Sequence, residues 1–310
     1  MGVTDPLPLD ESGFIAALRA LARDPAARGL ADDAAVLAFG GEALVLTHDM
    51  MVEGVHWLPT QDMADVAWKL VATNLSDLAA KGAVPAGVLL GYMLGRDDAR
   101  FLAGLREALD AFDVPLLGGD TVGATAPGTH AAERRAIGLT AIGGATHRPV
   151  PSRSGAKPGD GLWLTGPVGA AMLGFEALQA GGTPADTAAF RRPVPRLAEG
   201  KALAPLVSAM MDVSDGLLID SARLAEASGV TIAIDSGAVP LPAALPAARA
   251  ADAMRWGDDY ELLFTLPGGM TPPCPAWRIG SVAPQGPHPL LVDGIPPAGR
   301  LGYIHGTQDN

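Results

Sequence analysis

Apolar positions along this chain switch between helical and alternating periods, and the switches lay out the expected elements. Phe14, Ile15, Leu18 and Leu21 recur at helical spacing and predict a first helix over 14–22. A loop carrying Asp32-Asp33 follows, then two short strands near 35–39 and 43–48. Residues 62–81 read as a helix and Val88–Leu94 as a strand. The segment Asp97–Phe112 is expected to be helical, with Asp97 as its N-cap. A strand near 114–117 runs into a Gly118-Gly119-Asp120 turn, and another strand spans about 137–142.

Gly143–Gly161 lacks periodicity and is rich in Gly, Pro, Ser and basic residues, so it reads as a linker. Beyond it the pattern gives a strand at Leu162–Thr165, a glycine turn and a helix reaching Gln179. A helix over 196–210, a strand at Met211–Val213, a helix over 216–228 and strands at 230–234 and 260–266 complete the series. Strands and helices mix in both halves, an α/β (α+β) class. A chain of 310 residues exceeds one ordinary core, so two domains are expected, 1–148 and 149–310.

The helix over 62–81 holds the sharpest polar signal. At ~100° per residue its polar arc is narrow and contains Asp65, Lys69, Ala72 and Ser76. Asp77 falls outside that arc, on the stripe of Val66, Leu70 and Thr73. A carboxylate on an inward stripe must be paired, capped or metal-bound. The ordinary alternative is a salt bridge to Lys81 at i+4.

Charge narrows the chemistry. The chain has 34 acidic residues against 22 Lys and Arg, a net charge of -12. That excludes nucleic acid and anionic membranes as expected partners. Phosphate substrates then require intervening cations. The single cysteine, Cys274, excludes an internal disulfide framework and a Cys-type zinc site. The N-terminus has no basic-then-apolar leader, and no apolar run approaches ~18 residues, so a soluble cytoplasmic protein is expected.

Asp77 is one of several aspartates placed where an apolar run meets a turn or helix. Asp33 and Asp49 adjoin the two early strands, whose pairing would bring their loops together; a simple turn role is the alternative. Asp120 follows two glycines that let backbone N–H groups approach a phosphate while the carboxylate holds its metal. In Asp212-Val213-Ser214-Asp215-Gly216, a helix N-terminus favours phosphate and two carboxylates can hold a cation against it; Ser214 or Asp215 can equally cap the helix. His56 can donate to a substrate phosphate or be an ordinary loop histidine, and Arg153 suits a phosphate clamp. Thr165-Gly166-Pro167-Val168-Gly169 lacks the ending of a P-loop, and no P-loop or kinase-type His-Arg-Asp and Asp-Phe-Gly set occurs. The residues describe a metal-dependent phosphoryl-transfer enzyme.

Five segments carry a family resemblance: Asn74–Ala83, Leu117–Thr121, Arg153–Asp160, Asp212–Leu217 and Asp259–Leu262. In this order they resemble the thiamine-monophosphate kinases, relatives of aminoimidazole ribonucleotide synthetase, selenophosphate synthetase and a hydrogenase maturation protein. The similarity runs from about residue 29 to Tyr303. It implies an N-terminal domain that forms a homodimer and carries much of the ATP and Mg²⁺ site, and a C-terminal α/β domain that closes over it. It further implies a metal-ligand set of Asp33, Thr47, His48, Asp49, Asp77, Asp120, Asp212 and Asp215, with Asp120, Asp212 and Asp215 central to catalysis. Gly119, Asp120, Arg153 and Ser214 correspond to ATP contacts, and His56, Asp258 and Tyr303 to thiamine-phosphate contacts.

Three positions depart from the family pattern. His48 stands where Thr is usual, Asp258 replaces Glu, and Trp256 replaces a Gly. The implied reaction is ATP plus thiamine monophosphate giving ADP plus thiamine diphosphate, assisted by several Mg²⁺ ions. A phosphate monoester is already anionic near neutral pH, so no general base is required. The cationic thiazolium can be favoured by Asp258 or by an aromatic face such as Trp57 or Tyr303. Rivals are a sister ligase that activates a carbonyl oxygen and a non-catalytic metal- or nucleotide-binding protein. The reactive Cys of selenophosphate synthetases and the terminal Cys of the hydrogenase relative have no counterpart, since the tail reads Thr307-Gln308-Asp309-Asn310.

Overall fold

A computed structural model describes residues 11–19, 21–123 and 134–304. The tail Thr307–Asn310 lies outside the described residues. The first sheet contains β1 (Ala35–Phe39), β2 (Glu42–Val52), β3 (Ala83–Leu94), β4 (Leu116–Gly123) and β5 (Ala136–Ala145), in the order β1-β2-β5-β3-β4. Helices α2 (Met63–Ala80) and α3 (Asp98–Phe112) cover one face, burying Val66, Leu70, Phe101, Ile137 and Leu139 in a common core. On the opposite face Met50, Val84, Leu89 and Val122 are exposed.

The second sheet contains β6 (Gly161–Leu164), β7 (Ala209–Asp212), β8 (Val230–Ile234), β9 (Leu262–Leu266), β10 (Trp277–Pro284) and β11 (Leu290–Val292), in the order β11-β8-β10-β6-β9-β7. Its helices include α4 (Ala170–Gln179), α5 (Pro184–Arg191), α6 (Leu197–Leu203) and α7 (Leu217–Ser228). The two halves meet through Ala79, Ala80, Leu203, Met210 and Phe264, which form a shared apolar cluster. The expected α/β (α+β) class is observed. Among the described residues no helix is long and apolar enough to cross a membrane.

Several expectations needed correction. The first helix, α1, occupies Glu11–Arg19 rather than 14–22. Asp97 sits at the N-cap position, but its side chain makes no cap bond; Asp98 instead accepts from the Gly95 amide at 3.0 Å. Gly118-Gly119-Asp120 is not a turn but the middle of β4, parallel to β3. There a Cβ on Gly119 would sit 2.0 Å from the Leu90 carbonyl oxygen, so close strand contact already demands glycine. The helix expected to reach residue 210 ends at Leu203, because Pro205 cannot continue the ladder. The linker's first residues, Gly143–Ala145, belong to β5.

Candidate active site

Helix α2 is buried on nearly every side, so its polar arc does not face water. It faces the second half of the chain, and each polar member finds a partner there. Asp65 accepts from Arg191 and, at 2.5 Å, from Arg192 Nε. Lys69 donates to Asp258 Oδ2 at 2.8 Å, and Ser76 Oγ donates to Asp212 Oδ2 at 2.6 Å. The helix therefore carries a register of contacts that joins the two sheets.

Asp77 is not paired with Lys81. The Lys81 ammonium is fully buried and held by Asp32 and by Asp33, the latter at 2.6 Å. Asp77 instead meets other carboxylates. One oxygen from each of Asp33, Asp77 and Asp212 lies within 4.8 Å of the other two. The Thr47 hydroxyl donates to Asp77 Oδ2, and the Asp49 amide donates to Asn74 Oδ1 at 3.1 Å. Burial raises Asp77 well above the usual carboxylate range, and the charges of Asp49, Asp212 and Asp33 add to the rise. Burial likewise pushes Asp212 up to about 8, reinforced by Asp33, and Asp49 up to about 6. Three hard oxygen ligands at these separations, mutually repulsive when ionised, fit a small divalent cation such as Mg²⁺.

Strand parity decides what β2 offers this cluster. Odd positions, including Thr47 and Met51, are buried against the helices, whereas His48 and Met50 are exposed on the other face. The His48 ring stands 2.9 Å from Thr140 Oγ1 on that outer face, so what His48 can lend the cluster is its main chain. Asp120 is also on the outer face: it pairs laterally with Gly91, then Gly138, then Met50. Three strand spacings separate it from β2, about 14 Å. One chain does not bring Asp120 to Asp77, and Gly119 stays with it on the edge strand.

The Asp212–Gly216 segment enters α7 by an unforeseen device. Neither Ser214 nor Asp215 caps the helix; the N-cap is Gly216, with no side-chain bond. Asp220, fully buried in the first turn, folds back and accepts from the amides of Ser214 and Asp215, both at 3.1 Å. Arg223 Nη1 then binds Asp220 at 2.9 Å and Asp215 at 2.5 Å. Arg153 Nε donates to Asp33 Oδ1 at 2.6 Å, so the expected phosphate clamp rests on a carboxylate of the cluster.

These groups border a cleft of about 650 Å³. Asp49, Asp77, Asp212, Ser214 and Asp215 line it together with His56, Asp258, Tyr303, Phe175, Phe190 and Trp256. His56 Nδ1 accepts from the Val52 amide at 2.9 Å, which puts the proton of the neutral ring on Nε2. Asp258 is held at both oxygens, by Lys69 and by the Tyr260 hydroxyl at 2.8 Å. Trp256 lies 5.5 Å from Phe175, and Phe175 5.1 Å from Phe190, centroid to centroid. Trp57 is absent from this wall; it is buried in the first core. Lys69, Asp220 and Arg223 were not singled out as site residues by sequence. Only the position of Lys69 on the same arc as Ser76 hinted at its direction.

Residues 31–153 match the family model described as AIR synthase related protein, N-terminal domain, and residues 157–270 match the C-terminal domain of that family. A thiamine-monophosphate kinase of Caulobacter vibrioides is 41% identical over 271 residues, covering 80% of this chain and 74% of that protein. Its counterpart in Escherichia coli (strain K12) is 37% identical over 261 residues, covering 77% and 76%. The solved structure of AaThiL complexed with AMPPCP and TMP superimposes with a TM-score of 0.85 at 28% identity, covering 98% of this chain and 100% of that one.

Proposed function

We propose, for a chain that belongs to the thiamine-monophosphate kinase family of AIR synthase related proteins, that it phosphorylates thiamine monophosphate to thiamine diphosphate with ATP. The observation that carries the reading is the company kept in one cleft. Asp77 and Asp212, whose charges have no place in a buried site without cations, share it with His56, Asp258 and an aromatic wall.

The reaction is direct in-line transfer of the γ-phosphoryl group. The acceptor phosphate brings its own nucleophilic oxygen, so the protein's task is to position two anions and exclude water. Asp33, Asp77 and Asp212 would hold Mg²⁺, with Thr47, Asp49, Asp215 and the His48 main chain around them; bound there, several such ions supply charge neutralisation between the phosphates. Arg153, released from Asp33, can turn its guanidinium to the nucleotide phosphates. Ser214 lines the same cleft and can offer its hydroxyl there, its amide being taken by Asp220. His56 Nε2–H serves the acceptor phosphate. The cationic thiazolium is favoured by the Asp258 carboxylate and by aromatic faces, worth ~0.5–2 kcal/mol each.

The same reading makes the chain a homodimer built on its first domain, which spans 1–148, with the second, 149–310, closing over the cleft. Met50, Leu89 and Val122 form an apolar outer face of the first sheet that a second copy would cover. Asp120 lies on that face, so its route to a metal–nucleotide site runs through the partner copy. ATP as co-substrate sets the work in the cytoplasm.

An end-point assay with ATP, Mg²⁺ and thiamine monophosphate, resolved by phosphorus NMR, tests the reading. Thiamine diphosphate and ADP in equal amounts are expected. Survival of both substrates, with ATP still bound, would assign the chain to a sister activity.

A further inference from the structure

We propose that Lys69 is the positioning residue for the acceptor end of the cleft, an inference that rests on the thiamine monophosphate reading above. Lys69 is 1% exposed, on the arc of α2 that faces the second half of the chain. Its ammonium is 2.8 Å from Asp258 Oδ2, 3.8 Å from the centroid of the Phe190 ring and 3.5 Å from the His56 carbonyl oxygen. These contacts come from three separate segments: the loop after β2, helix α5 and the loop before β9. All three residues line the cleft, whereas Lys69 stands behind them.

A buried ammonium is tolerated only while its counter-charge and acceptors remain in place. Lys69 therefore fixes His56, Phe190 and Asp258 relative to one another across the boundary between the two halves. The Asp258 end is held with little freedom. Its backbone is left-handed (φ 67), its amide donates to the Ser214 carbonyl at 2.8 Å, and its second oxygen is bound by Tyr260. Ser76, two turns along the same arc, reaches Asp212 instead, so the phosphate end has its own support. Lys69 thus governs how the acceptor is gripped and leaves nucleotide binding to other residues.

The experiment compares Lys69→Met, Lys69→Arg, Asp258→Asn and the double variant Lys69→Met/Asp258→Asn in steady-state kinetics, with thermal unfolding of each. Turnover by the unaltered chain comes first; its absence would overturn the reading of function and this inference with it. With turnover present, Lys69→Met is expected to raise the KM for thiamine monophosphate roughly tenfold or more, with kcat and the KM for ATP changed less than about threefold. The double variant should be no worse than the more impaired single variant, because the two side chains act as one unit. Lys69→Arg should recover part of the loss. An unchanged acceptor KM, additive losses in the double variant, or equal losses toward ATP and acceptor would overturn the proposal. Should Lys69→Met fail to fold, the double variant leaves no unpaired carboxylate and is compared with Asp258→Asn alone. Matching acceptor KM values support the assignment, and a further rise in the double overturns it.

Discussion

Two aspartate-rich regions lie side by side in this molecule and answer their charge in opposite ways. In the run from Asp258 to Glu261 every carboxylate has a dedicated partner. Asp258 has Lys69, Asp259 accepts from the Gly169 and Ala171 amides, and Glu261 binds Arg196 and the Thr165 hydroxyl. In the set of Asp33, Asp77 and Asp212, Lys81 and Arg153 both bind Asp33, whereas among the described residues no ion pair reaches Asp77 or Asp212. Both regions look alike in sequence. What separates them is whether the fold supplies each carboxylate with an ion-pair or amide partner or leaves its charge to be answered by a bound cation.

The strongest way to break this contrast is to neutralise one member of each region. Asp77→Asn or Asp212→Asn is expected to lower kcat by about a thousandfold or more, since the positioned charge of the site is lost. The same change relieves like-charge repulsion, so the unfolding midpoint should hold or rise in circular dichroism. Glu261→Gln should do the reverse. It leaves Arg196 without its carboxylate and costs about 1–2 kcal/mol of stability, discounted for the partial exposure of Arg196, while kcat changes only a few-fold.

A gentler test is pH. Burial raises Asp49 to about 6 and Asp212 to about 8 in the folded chain, above the ordinary carboxylate range. Between about pH 4 and 8 the folded chain therefore binds more protons than the unfolded chain, and stability falls as pH rises. In denaturant titrations without divalent cations this decline should be visible across that window; added Mg²⁺ should shrink it, leaving the part due to Asp220 and Asp259, which burial raises to about 7 and about 8. The smallest effect is expected at the cleft mouth. Tyr303 is anchored by its amide, which donates to the Asp215 carbonyl at 2.8 Å. Tyr303→Phe should consequently shift the acceptor KM by less than about threefold.

How much of this is legible in the sequence depends on how far away each residue's partner lies. The helical wheel isolates Asp77 because the competing polar positions are local, on the same helix. It cannot show that Asp65, Lys69 and Ser76 are buried, since Arg191, Asp258 and Asp212 are 126, 189 and 136 positions downstream. Asp220 escapes notice for a related reason: a carboxylate in a first helical turn reads as an ordinary dipole partner until the Ser214 and Asp215 amides fold onto it. Strand β4 is misread because Gly118, Gly119 and Gly123 leave no alternation, and the edge position leaves every residue exposed. Strands β10 and β11 are missed because Arg278, Gly280, Ser281 and Pro284 interrupt the first, and the second is only three residues long.

The most direct measurement is a titration of the chain with Mn²⁺ as a paramagnetic stand-in for Mg²⁺, following the signal of the free ion by electron paramagnetic resonance in the presence of a non-hydrolysable ATP analogue. The account expects the unaltered chain and Glu261→Gln to deplete the free signal equally, and Asp77→Asn to leave much more of it. Equal depletion by all three would contradict the assignment of the unpaired carboxylates as the cation site.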